Sequence, residues 1–202
     1  PYIEATWMNS YLGISDRLSE KDFKENVDLD VSLMIYETDR QNYQPLALSS
    51  YISRNSLVAG KVEIAGLHGY NVNDFVAGCG DTGGRCAEAN LDVQMVAAIA
   101  QGVKIIYYSE NVNATFLSQW SIDVATTESP PDVVSISYGA SEISVYGMAE
   151  AMAVIEQNIL IMNLRGVSVF SSSMDMGAPT RVSEIFDDAT QAQACEGGYQ
   201  AN

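Results

Sequence analysis

Glu88-Ala89-Asn90-Leu91-Asp92-Val93-Gln94-Met95-Val96-Ala97-Ala98-Ile99-Ala100-Gln101-Gly102-Val103-Lys104-Ile105-Ile106-Tyr107-Tyr108 changes its hydrophobic period part-way along. Up to Gln101 the apolar residues Leu91, Met95, Val96, Ile99 and Ala100 form a helical stripe. Gly102 stands where a helix C-terminal cap is expected. Residues 103–108 are then a short continuous apolar run, the pattern of a strand covered on both faces. Val31-Ser32-Leu33-Met34-Ile35-Tyr36, Val133-Val134-Ser135-Ile136-Ser137 and Val167-Ser168-Val169-Phe170 read the same way. Residues 115–124 and 142–164 read as helices, with Pro130-Pro131 breaking the chain between them, and residues 38–60 as loop with a short helix. Residues 1–30 read as an entry segment of loop and short helix, and no element is evident after Pro179. Strand and helix alternate, which predicts an α/β fold: a parallel sheet with helices on both faces and its chemistry beyond the C-terminal strand ends.

At 202 residues the chain suits one well-packed domain. With 47% hydrophobic and 18% charged residues it has a globular profile. Ten Lys+Arg against 26 Asp+Glu give −16, so nothing electrostatic favours nucleic acid or anionic membrane as a partner. Such acidity permits solubility in acid, and equally describes an ordinary acidic surface. No apolar run is long enough for a membrane span, and the start at Pro1 without a signal peptide reads as a processed or trimmed form. Cys79 and Cys86 bracket a Gly-rich loop that can close as a local disulfide, which leaves Cys195 over for a partner outside the chain. Asn113-Ala114-Thr115 is a glycosylation sequon, and with the cysteines it leans toward a secreted or lysosomal/vacuolar setting.

Three places can carry chemistry. Glu88 and Asp92, four apart on a helix, share one face. In a cleft such a pair shares a proton and can act as base and orienting group; on spacing alone, acidic residues favouring the helix dipole is the plainer reading. Asp175, after the run ending at Phe170, can donate a hydrogen bond to a developing oxyanion if protonated, or be a turn residue before Gly177. Ser137-Tyr138-Gly139 ends a strand and can hold an extended peptide, or be a simple strand-to-helix turn. Residues 78–84 lack the lysine or spacing of a phosphate loop. His68 reads as a bystander in a Leu67-His68-Gly69-Tyr70 loop.

These segments, in this order, resemble the sedolisin family of serine-carboxyl peptidases. Glu88-Ala89-Asn90-Leu91-Asp92-Val93-Gln94 is similar to its E-A-x-L-D-x-Q helix. Val134-Ser135-Ile136-Ser137-Tyr138-Gly139-Ala140-Ser141-Glu142 is similar to V-S-I-S-[WY]-G-x-x-E. Residues 166–177 resemble G-V-[ST]-[VL]-x-x-[AS]-S-G-D-S-G, and Tyr36-Glu37-Thr38 an early strand ending in Glu. The resemblance implies a subtilisin-like sheet, incomplete without its C-terminal part, with residues 1–202 as the N-terminal portion of one peptidase domain. It implies Glu88 as general base, Asp92 as its orienting partner, Asp175 as oxyanion donor and Glu37 as a supporting carboxyl, with residues 137–139 on the backbone of a peptide or protein substrate.

Two departures accompany it. Met174 and Met176 stand where the family has small Gly and Ser. The serine block G-T-S-x-x-x-P is absent, and the family's calcium site lies in the same missing part. The expected partner is therefore a C-terminal peptidase chain that supplies the serine and binds Ca2+, bridged through Cys195. The alternative is an inactive structural or peptide-binding relative.

Overall fold

The computed structural model describes residues 31–38, 41–58, 62–68, 86–110, 117–139 and 149–172; for 62–68 only the backbone is described. Strand β1 spans Ser32–Glu37, helix α1 Pro45–Asn55, β2 Val62–His68, α2 Ala87–Ile99 and β3 Lys104–Glu110. Then follow α3 Ser118–Thr126, β4 Val133–Ile136, α4 Ala149–Leu164 and β5 Ser168–Ser171. The five strands are parallel, in the order β2-β3-β1-β4-β5. This is the predicted α/β fold. Strand β2 was not anticipated, and it moves His68 out of the expected loop into a strand end paired with Glu110.

Each face of the sheet has its own core. On one, Met34, Tyr36, Ile106, Tyr108, Val134 and Ile136 pack against Trp120 and Val124 of α3 and Met162 of α4. On the other, Ile35, Ile105 and Tyr107 pack against Leu48 of α1 and Ala89, Val93 and Ala97 of α2. Alternate residues of β1 and β3 supply the two cores, as the period of a pleated strand requires. The small alanines let α2 lie close on β1 and β3. The expected helical stripe is thereby corrected: Leu91 is 50% and Ile99 44% exposed, while Ala89, Val93, Ala97 and Ala98 are buried.

Helix ends follow local rules. Pro45 opens α1, where its missing N–H costs nothing, and Ser56 closes it in a left-handed conformation. Gly102, two residues after the α2 cap, takes φ +74. Arg165 clamps the end of α3, donating from Nη1 to Ala125 O (2.8 Å) and from Nη2 to Thr127 O (2.6 Å) and Glu128 O (3.2 Å). At the opposite end of the sheet from the site, Asp132 Oδ2 accepts from Ser32 N (2.7 Å), which fixes β4 against β1.

Crossover hand isolates one helix. Through α3 and α4 the chain moves toward β5 over the first face, and through α1 it moves toward β2 over the second; these three moves share a hand. Through α2 it moves toward β5 over the second face, the opposite hand. Since parallel crossovers are right-handed in about 98% of cases, α2 is the exception. It is also the helix that carries Glu88 and Asp92. Neighbouring strands β1 and β4 send their chains to opposite faces, which opens a crevice between their C-terminal ends.

Candidate active site

Glu37 ends β1 and is wholly buried. Its neighbour across the crevice is the segment just past β4, and there Tyr138 Oη donates to Glu37 Oε2 at 2.7 Å. One residue earlier, Ser137 Oγ donates to Asp92 Oδ2 at 2.6 Å. Segments far apart in sequence thus close on one another at the carboxyl edge of the sheet. Asp92 is on the flank of α2 that faces β4, and Glu88 lies one turn earlier on the same flank.

The electrostatics follow from burial. Desolvation raises Glu37 from its ordinary 4.5 to about 8; the Tyr138 hydrogen bond pulls the other way, and the charges of Asp92 and Glu88 add to the rise. Asp92 is raised too, chiefly by burial, with hydrogen bonds from Ser137 and Glu37 opposing it. Glu37 Oε1 meets no donor. Two ionised carboxylates would both be acceptors and could not bond. The charge of Asp92 therefore adds to burial in favouring the protonated form of Glu37, and the two acids titrate as a pair. Burial, and then the adjacent Glu37, push the Tyr138 phenol above its ordinary range, so it remains a donor.

A second buried network lies beside this one, and sequence reading missed it. Tyr36 Oη donates to Glu110 Oε2 (3.0 Å) and accepts from Leu117 N (3.3 Å). Tyr108 Oη donates to Asp123 Oδ2 (2.9 Å). The Tyr36 ring stands edge-on to Tyr138, centroids 6.0 Å apart, which braces the donor to Glu37. Glu110 closes β3 two residues past its apolar run, and an acid so placed is the only sequence signal of this network.

Of the anticipated site residues, Glu37, Asp92, Ser137 and Tyr138 are brought together, with Glu88 beside them and Gly139 half-buried next in the chain. Ser137 and Tyr138 turn their side chains onto the carboxyls. Cys86, buried at the start of α2, is disulfide-bonded. Asp175, Cys79, Asn113 and Cys195 lie outside the described residues. Among the described residues no group of three or more His, Cys, Asp or Glu could hold a metal ion. No helix among them is long and apolar enough to cross a membrane.

No family model matches the chain. It is 32% identical over 100 residues to kumamolisin of Bacillus sp. (strain MN-32), a match covering 49% of this chain and 18% of that protein. Its fold resembles that of a Pseudomonas sedolisin, a serine-carboxyl proteinase solved with two molecules of pseudo-iodotyrostatin. There the TM-score is 0.62 at 18% identity, over 79% of this chain and 43% of the other. The chain thus spans less than half the length of either protein. The chain is thus similar in sequence to part of kumamolisin and in fold to part of a Pseudomonas sedolisin.

Proposed function

We propose that this chain supplies the carboxyl half of an acid-acting serine-carboxyl peptidase site. Glu88 is the general base toward a serine carried by polypeptide outside residues 1–202, and Asp92 orients Glu88. Glu37 supports the pair as a further carboxyl, and Asp175 donates to the oxyanion. The backbone of Ser137, Tyr138 and Gly139 holds the peptide substrate. The observation that carries this reading is the pair of desolvated carboxyls Glu37 and Asp92, held by Tyr138 and Ser137, with Glu88 one helical turn from Asp92. A base backed by carboxyls works where its supporting acid keeps its proton, which disfavours activity in alkali. Pairing of Cys86 with Cys79, glycosylation at Asn113, Ca2+ in the serine-bearing part and a bridge through Cys195 complete the proposal, with secretion or a lysosomal/vacuolar setting.

The test is hydrolysis of a quenched peptide library at about pH 3–5, using this chain together with the remainder of its domain. The wild type should cleave, and Glu88→Gln should lose about a hundredfold or more in kcat. Full activity in Glu88→Gln would sink the reading. Met174 and Met176 favour a second one, an inactive peptide-binding relative; peptide binding without hydrolysis by the complete domain would establish it.

A further inference from the structure

Glu110 has no part in the proposed chemistry, yet it is a wholly buried carboxyl at the same end of the sheet as Glu37. Burying an acid is costly unless hydrogen bonds receive it. Its Oε2 accepts from Tyr36 Oη at 3.0 Å, and the same hydroxyl accepts from Leu117 N at 3.3 Å. The proton of that hydroxyl and one of its lone pairs are both committed, so its orientation is fixed. Glu110 ends β3 and Leu117 is the N-cap of α3, so a single phenol holds the end of one element and the start of the next. Leu117 takes φ +60 there, a conformation that a bulky residue keeps only where its surroundings determine it.

Tyr36 is also the hub of the aromatic cluster on the first face. Its ring stacks with Tyr108 at 6.2 Å between centroids, and meets Trp120 edge-on at 5.8 Å and Tyr138 edge-on at 6.0 Å. Two of these neighbours are anchored by their own polar atoms: Tyr108 Oη donates to Asp123 Oδ2 at 2.9 Å and Trp120 Nε1 to Met34 Sδ at 3.4 Å. Tyr138 differs, because its hydroxyl leaves the cluster for Glu37 Oε2 at 2.7 Å. Edge contacts between rings are directional, and a close-packed interior passes a displacement on. An anchored Tyr36 therefore fixes the tilt of Tyr138, and with it the bond to Glu37.

We propose that Glu110 and Tyr36 are positioning residues for the carboxyl site, holding the Tyr138 hydroxyl on Glu37 from the face opposite α2. The order of action is Glu110 on Tyr36, Tyr36 on Tyr138, and Tyr138 on Glu37. The Tyr138 bond favours ionised Glu37, so a looser bond should leave Glu37 holding its proton to higher pH. The groups that act on Glu37 directly are Tyr138 from the segment after β4 and Asp92 and Glu88 from α2. Its paired residue on β3, Ser109, carries no charge, and Asp123 of α3 lies behind Tyr108. The inference rests on the reading that Glu37 supports the Glu88–Asp92 pair of a peptidase site.

The test reads the Glu37 titration from its carboxyl carbon by NMR, in the complete protein as expressed from its source. Tyr36→Phe keeps every ring and the net charge and removes only the anchoring hydroxyl. It should raise the Glu37 midpoint by a few tenths of a pH unit, less than Tyr138→Phe does. The double variant should titrate as Tyr138→Phe alone, because Tyr36 then has no hydroxyl left to position. Additive shifts, or lower stability in Tyr36→Phe with Glu37 unmoved, would overturn the proposal. So would a fall in the midpoint, which is the sign expected if Glu110 took up a proton and acted on Glu37 through charge. Should Tyr36→Phe fail to fold, Glu110→Gln and Glu110→Leu replace it: both remove the charge, and only Gln keeps an acceptor for Tyr36. Glu37 should titrate higher in the Leu variant than in the Gln variant, and equal values would overturn the proposal. Hydrolysis is a separate readout: an inert complete protein with these shifts refutes only the peptidase reading, and an active one without them refutes only the positioning.

Discussion

Tyr138 has three neighbours that define it: its hydroxyl bonds Glu37 Oε2, its ring meets Tyr36, and its chain neighbour Ser137 bonds Asp92. The hydroxyl lowers the proton affinity of Glu37 while burial raises it. Tyr138→Phe keeps the ring and removes the donor, leaving Oε2 buried without a partner. The expected cost is about 1–3 kcal/mol, the desolvation of an unsatisfied group, measured by urea denaturation. The Glu37 titration should also move upward in carboxyl-carbon NMR. A titration that moves downward would mean that Tyr138 does not stabilise the ionised carboxylate. Little of this was legible beforehand. The Tyr138–Glu37 contact joins residues 101 apart, and only the family resemblance had marked Glu37 at all. Glu88 and Asp92 were visible by spacing, yet four-residue spacing of acids equally describes a solvated helix start. What separates the two is burial of Asp92 against Ser137, a property of packing rather than of the helix.

At the scale of elements, period found four strands and missed β2. Glu63 and Gly66 interrupt its apolar run, and as an edge strand it needs cover less than a central one does. The α2 stripe was read on the wrong flank for a related reason. Hydrophobicity ranks Leu91 and Ile99 above Ala89 and Ala97, whereas close approach of a helix to a sheet selects small side chains. The Arg165 clamp shows an element stabilised from outside itself. Its guanidinium reaches three carbonyls at the end of α3, which has no basic residue in its last turn. Arg165→Ala should lower stability by about 1–2 kcal/mol, discounted for its exposure. Lys should recover less than half of this, because a point charge cannot span the fork. Rescue by Lys equal to wild type would show that charge near the helix end, rather than the bidentate geometry, is what matters.

For the whole molecule, two different electrostatic effects point the same way in pH. The net charge of −16 repels itself through solvent, and falling pH relieves it. The Glu37–Asp92 site is buried and holds its proton more tightly folded than unfolded. For such a group the stability is fully present below the unfolded value and is lost as pH rises through the folded one. With Glu37 moving from 4.5 to about 8, the loss falls in that window, at a slope approaching about 1.4 kcal/mol per pH unit. The melting temperature should therefore be higher near pH 4.5 than at pH 8, and above pH 8 Glu37 adds no further loss. Salt divides the two contributions. At pH 8, about 0.5 M NaCl shortens the Debye length to roughly 4 Å and should restore the part due to surface repulsion, while leaving the buried part in place. Glu37→Gln should do the reverse, since a neutral amide cannot ionise: the pH slope between 4.5 and 8 flattens and the response to salt stays. If salt alone abolishes the slope in the wild type, the buried pair does not set it, and the slope comes from the surface charge.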